Sequence, residues 1–130
     1  MELIDELMAE RACRQLVGLY PQLCDDADGE GLGALFTEDG VLSVAGQAIQ
    51  GPTAIGAWLL ETLRVGPMRH LMMNPHIIVE SPDRACGTLD MALLLKGEQG
   101  WQLIASARYS DVYVRTPQGW RFAERKVDIR

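Results

Sequence analysis

From Met68 to Ile129 the sequence is one strand pattern after another with little more than turns between, and this run constrains the fold more than any other feature. Met68 to Val79 alternates, Ser81-Pro82-Asp83 turns, and Arg84 to Leu95 follows with a Leu93-Leu94-Leu95 run that implies burial on both faces. Gly97 to Gly100 reads as a loop into a long strand, Trp101 to Arg115, and Thr116-Pro117-Gln118-Gly119 as a hairpin turn into the last one, Trp120 to Ile129. Connections this short leave no room for crossovers, so consecutive strands are expected to pair antiparallel.

The first half carries helical periodicity instead. Between Leu3 and Cys24 the apolar positions Leu3, Ile4, Leu7, Met8, Cys13, Leu16, Val17, Tyr20, Leu23 and Cys24 recur at spacings that build one helix face. Pro21 lacks the N–H that would bond residue 17, which predicts a kink or break there. Asp25, Asp26 and Asp28 then cluster where the helix ends, a position the helix dipole disfavours for anions. Asp28 with Gly29 suits the cap of a following helix, and one of the remaining carboxylates is free to point back into a cavity. Gly31 to Phe36 reads as a short helix stopped by the turn Thr37-Glu38-Asp39-Gly40, Val41 to Ala45 as a short strand, and Gly46 to Gly51 as a hairpin or loop. Gly51-Pro52-Thr53 opens a third helix whose buried stripe is Ile55, Trp58, Leu59 and Leu63. Helices first and a meander after them is α+β: a curved antiparallel sheet wrapped around three N-terminal helices in one domain, residues 1–130.

Both histidines fall in the first strand of the meander. Alternation puts His70, Met72, Asn74 and His76 on one face. If that face lines a cavity, His70 is a proton-transfer group in apolar surroundings, with a titration range suited to acid/base work near neutral pH. A satisfied core or strand-edge histidine is the structural alternative. Arg108 and Arg125 are candidate anion-binding groups, and Asp111 is a candidate acceptor for a neighbouring arginine.

Composition narrows the partners. With 48% apolar and 23% charged residues the chain has ordinary globular character, and its net charge of −6 with no basic run argues against nucleic acid or an anionic membrane. No segment reaches eighteen consecutive apolar residues and the N-terminus lacks the basic-then-apolar order of a signal peptide, so a cytoplasmic location is expected. Cys13, Cys24 and Cys86 form no CxxC pair and stand at no metal-ligand spacing from a histidine, so they read as apolar fillers, with no metal site.

Several stretches are familiar in order and spacing: Tyr20 with Asp25 and Asp28, LFTEDGVL at Leu35 to Leu42, the Gly51 helix start, RHLMMNP at Arg69 to Pro75, ARYSDVYVRT at Ala107 to Thr116, and the final GWRFAERKVDIR. Together they resemble the SnoaL-like polyketide cyclase group, within the cone-shaped superfamily of nuclear transport factor, scytalone dehydratase and ketosteroid isomerase. The resemblance implies a deep apolar pocket working without metal or organic cofactor on a hydrophobic, cyclic small molecule. It also implies Asp25 and His70 as a catalytic dyad for elimination, with Tyr20, Cys24, Trp58, Met72, Asn74 and Tyr109 as substrate-binding residues. Cys24 and Leu95 depart from scytalone dehydratase, which has a tyrosine and a second histidine at those places. The same resemblance admits an isomerase or cyclase, a ligand-binding module, or a relative of dioxygenase small subunits. It implies a homodimer or homotrimer formed through the outer sheet face.

Overall fold

The first helix, α1 (Leu3–Asp25), runs unbroken through Pro21, which is itself buried, so the proline costs one backbone bond without ending the element. The expected kink or break therefore does not divide it. Its core-facing stripe begins at Ala9 and continues through Cys13, Leu16, Val17, Tyr20 and Cys24, whereas Leu3, Ile4, Leu7 and Met8 are exposed. Periodicity marked all of these as one face, but the first two turns project past the sheet. The helix ends in a Schellman arrangement. Asp28 N–H donates to Leu23 O at 2.9 Å and Ala27 N–H to Cys24 O at 3.1 Å, with Ala27 in the left-handed region at φ 59°.

The structure, a computed structural model, describes residues 1–62 and 65–130. After α1 come α2 (Gly29–Gly33), β1 (Phe36–Val44), β2 (Gln47–Gln50) and α3 (Pro52–Thr62). The meander follows as β3 (Met68–Ser81), β4 (Arg84–Gly97), β5 (Gly100–Thr116) and β6 (Gly119–Ile129). The Asp28 side chain caps α2 by accepting from Gly31 N–H at 2.8 Å. Gly29 and Gly56 bring α2 and α3 into backbone contact: a Cβ on Gly56 would stand 2.5 Å from the Gly29 carbonyl oxygen. Ile55 and Leu59 of α3 are buried, while Leu63, expected on the same stripe, lies outside the described residues.

The six strands form one curved sheet in the order β2-β1-β6-β5-β4-β3. The meander is antiparallel as expected, but β1 pairs parallel with β6, making the sheet mixed. The reason is topological: the chain leaves β1 through β2, α3 and the whole meander before β6 returns alongside it. Thr37-Glu38-Asp39-Gly40 is not a turn after a helix but an irregular stretch of β1, with the register against β6 shifting between Phe36 and Val41. The core between the helices and the sheet's concave side holds Tyr20, Leu32, Phe36, Leu42, Ile55, Leu59, Leu89, Tyr109, Tyr113 and Phe122.

Two bulges reset which residues face that core. Between Met73 and His76 the β3 strand carries an extra residue against β4, and Asn74 takes φ 56° there. Alternation from His70 and Met72 therefore restarts on Pro75, Ile77 and Val79, leaving Asn74 and His76 exposed. The four-residue face read from the sequence holds only for its first half. A second bulge opposite Leu93 and Leu94 turns Leu103 outward, 65% exposed, where unbroken alternation with Tyr109 would have buried it.

Candidate active site

Asp25 ends α1, and His70 lies near the start of β3, the strand that α1 packs against. The Schellman turn stops the helix so that the Asp25 side chain meets this strand. Asp25 Oδ1 lies 2.8 Å from His70 Nδ1, and the same carboxylate accepts the His70 backbone N–H at 3.1 and 3.2 Å. An ionised carboxylate only accepts hydrogen bonds, so Nδ1 carries a hydrogen, and in the neutral imidazole Nε2 keeps its lone pair. Both side chains are largely shielded, at 17% exposed for Asp25 and 14% for His70. Arg69 approaches the carboxylate from the exposed side at 3.9 Å.

His70 in turn lines a largely enclosed cavity of about 140 Å³, walled by α1, β1, α3 and β3 to β6. Of the residues that the resemblance implies for substrate binding, Tyr20, Cys24, Trp58 and Tyr109 lie on its wall, and Met68 and Met91 add thioethers. Met72 is half-buried and packs on the core without reaching the cavity. Asn74 is outside altogether, its amide donating to Asp90 at 3.0 Å, because the bulge it occupies turns it to solvent. Asp25 does not line the cavity either and stands behind the imidazole. Asp26 and Asp28 do not line it; Asp28 is occupied as the α2 cap. The residues that sequence reasoning missed are Val44, Leu59, Thr62, Leu93, Val127 and Ile129, which come from four elements and share no local motif.

A model of the SnoaL-like domain matches residues 5–126. The chain belongs to this SnoaL-like family. Solved structures agree on the fold: a protein of unknown function from Mycobacterium tuberculosis superposes with a TM-score of 0.90 at 27% identity, covering 95% of this chain and 77% of that one. An NTF2-like protein with a cystatin-like fold from Novosphingobium aromaticivorans gives 0.88 at 25% identity, over 95% and 83% of the two chains. A hexachlorocyclohexane dehydrochlorinase from Novosphingobium barchaimii gives 0.86 at 19% identity, over 99% and 91%. No curated protein matches the sequence.

Behind the cavity of this SnoaL-like protein lies a buried charge. The Arg125 guanidinium sits 4.3 Å from the Tyr20 ring centre and 4.6 Å from that of Tyr109. It makes a two-point contact with Asp111 at 2.7 and 2.8 Å, and Tyr113 donates to the same carboxylate at 2.9 Å. Arg125 was an anion-binding candidate in the sequence; here it is fully buried and partnered, and Asp111 is its acceptor. Arg108 is likewise paired, with Asp90, on the outer side. Burial pushes the Tyr20 and Tyr109 phenols well above their usual range, and Arg125 opposes this without cancelling it. Both phenols therefore remain protonated hydrogen-bond donors at neutral pH. Burial also pushes the Cys24 thiol up to about 12, which makes it an inert wall rather than a nucleophile.

Among the described residues no group of three or more His, Cys, Asp or Glu side chains is arranged to hold a metal ion. No described helix is long and apolar enough to cross a membrane.

Proposed function

We propose that the protein is a cofactor-independent lyase for a hydrophobic cyclic small molecule, with His70 as general base and Asp25 as its supporting carboxylate. The observation that carries this reading is the 2.8 Å contact between Asp25 and His70 at the wall of an otherwise apolar cavity. His70 Nε2 takes a proton from a substrate carbon, the C–H electron pair becomes the new double bond, and the neighbouring carbon releases its leaving group with the C–X pair. Asp25 stabilises the imidazolium so formed and fixes the ring orientation. The imidazolium then returns its proton to a departing hydroxide or to solvent. Tyr20 and Tyr109, hydrogen-bonded to each other on the same wall, are proposed to supply a phenol donor to a substrate oxygen on which charge develops. The dehydrochlorinase with the same fold supports an elimination.

The test is elimination from hydroxylated or halogenated cyclic substrates in wild type, His70→Ala and Asp25→Asn. Activity lost in His70→Ala and reduced on the order of a hundredfold or more in Asp25→Asn supports the dyad. Activity indifferent to His70 refutes the dyad, and no elimination in wild type leaves a ligand-binding module. Solvent deuterium entering the product without loss of a leaving group assigns the same base to an isomerase or cyclase instead.

Copies of the chain are further proposed to associate through the outer sheet face. Leu71, Met73, Ile78, Leu103 and Ile104 are 39% to 65% exposed there, apolar side chains that such a contact would cover. Light scattering that gives a dimer or trimer, dissociated by Ile104→Glu, supports this; a monomer at micromolar concentration refutes it.

A further inference from the structure

The cavity's size, charge and hydrogen-bonding pattern together define a ligand class narrower than a cyclic small molecule. The inference rests on the reading that this cavity is the site. Its volume is about 140 Å³, close to the roughly 150 Å³ known to hold one benzene molecule in a protein interior. Two or more fused rings exceed that volume, so part of such a molecule would stand outside the cavity mouth. The wall is a closely packed sheet and helix face, with Met68 and Met91 supplying the adaptable side chains, enough to yield to a methyl group rather than to a second ring.

Charge is selected against as well. Among the described residues the side chains on the cavity wall that carry polar groups are Tyr20, Cys24, Trp58, Thr62, His70 and Tyr109, none of which carries a fixed charge. The two nearby ions already have partners, and Asp25 also faces Arg69 at 3.9 Å. Arg125 is committed to Asp111 behind the tyrosines, and Asp25 to the ring and backbone N–H of His70. A carboxylate or ammonium on the ligand would be desolvated with no fixed ion of opposite charge to meet it.

Polarity is directional. Tyr20 and Tyr109 are hydrogen-bonded to each other, so the pair offers one phenol donor, whereas the neutral His70 imidazole, whose Nδ1–H is taken up by Asp25, has Nε2 as its acceptor. A complementary molecule therefore presents an acceptor oxygen to the phenols and a weakly acidic hydrogen to Nε2. We propose that the cavity selects a neutral, single-ring molecule bearing a carbonyl-type oxygen, and excludes fused polycycles and anions.

The experiment is an NMR titration of the full chain, following the His70 ring signals, with four probes: cyclohex-2-enone, cyclohexane, anthrone and benzoate. Cyclohexenone is expected to bind and shift those signals, with cyclohexane weaker by about tenfold, near the worth of one lost hydrogen bond, and benzoate weaker by about a hundredfold or more because its charge is desolvated. Anthrone is expected not to bind. Tyr109→Phe should weaken cyclohexenone about tenfold while leaving cyclohexane unchanged, and Tyr20→Phe serves the same purpose if Tyr109→Phe misfolds. Anthrone or benzoate binding as tightly as cyclohexenone, or no probe shifting His70, overturns the proposal. The same titration on His70→Ala, read from Tyr109, separates the two readings: retained selectivity with no elimination activity in wild type leaves the ligand class standing and removes the lyase.

Discussion

Asp111 and Arg125 meet through two hydrogen bonds of 2.7 and 2.8 Å with both side chains wholly buried, on neighbouring strands β5 and β6. The register pairs the two residues directly, so the contact needs no long-range adjustment. The guanidinium also lies against Tyr20, Tyr109 and Phe122 at 4.2 to 4.6 Å, so the ion pair forms the floor beneath two cavity-wall phenols. One donor, Nη1, has no hydrogen-bond partner and rests on the aromatic faces.

Removing one member of this pair strands the other charge in the core. Asp111→Ala is expected to cost about 3–5 kcal/mol, because Arg125 keeps its charge and cannot reach water. Joint replacement by Asp111→Leu and Arg125→Met should recover most of that loss, since no buried charge is left unpaired. Urea denaturation midpoints of the single and double variants check both outcomes.

At the end of α1, Ala27 sits at φ 59°, where a side chain is disfavoured by about 1–2 kcal/mol. Ala27→Gly relieves that strain but gives the unfolded chain more freedom, worth about 0.4–1 kcal/mol in the other direction. The expected result is a net gain of roughly 0.5–1 kcal/mol. Ala27→Val, bulkier in the same conformation, should destabilise. Thermal melts of the two variants read the sign.

How far the sequence disclosed this structure depends on the range of the signal. The meander, the helical stripe from Cys13 to Cys24 and the α3 start were legible because period and turn chemistry act locally. The Asp25–His70 contact spans 45 residues, and the family resemblance, rather than periodicity, pointed to that pair. The placement of Asn74 and His76 failed because a single extra residue in β3 inverts every later side chain, and the αL residue that makes the bulge carries no signal in a strand pattern. The parallel pairing of β1 with β6 was hidden for a related reason. It depends on how the sheet curls back on itself, which no short-range pattern encodes.

The buried thiols set an alkaline limit on stability. Burial pushes Cys13 and Cys24 up from 9.0 to about 12 in the folded protein. Between those values the unfolded chain loses thiol protons that the folded chain keeps, so the unfolded state binds fewer protons and stability falls as pH rises. Below pH 9.0 the contribution is complete, and above it each thiol removes about 1.4 kcal/mol per pH unit. Urea denaturation at pH 8 and pH 10.5 should show this fall, reduced in Cys13→Ala and Cys24→Ala relative to each variant's own neutral stability. Near neutral pH an aromatic disulfide reagent should reach only Cys86, the half-buried thiol, until urea exposes the other two.

The tautomer of His70 decides whether the cavity meets a base or a donor. Asp25 accepts from Nδ1 at 2.8 Å and simultaneously from the backbone N–H of the same residue, so the ring cannot rotate away without giving up a contact its own main chain reinforces. In a ¹⁵N–¹H correlation of the neutral imidazoles, His70 is expected to show hydrogen on Nδ1 and a bare Nε2. His76 is exposed on the far side of the bulge and should show the ordinary Nε2–H preference, serving as an internal reference. In Asp25→Ala the His70 pattern should move to that of His76, because nothing then holds the Nδ1 hydrogen in place. A wild-type His70 already protonated on Nε2 would present a donor to the ligand, and proton abstraction by this residue would have to be abandoned.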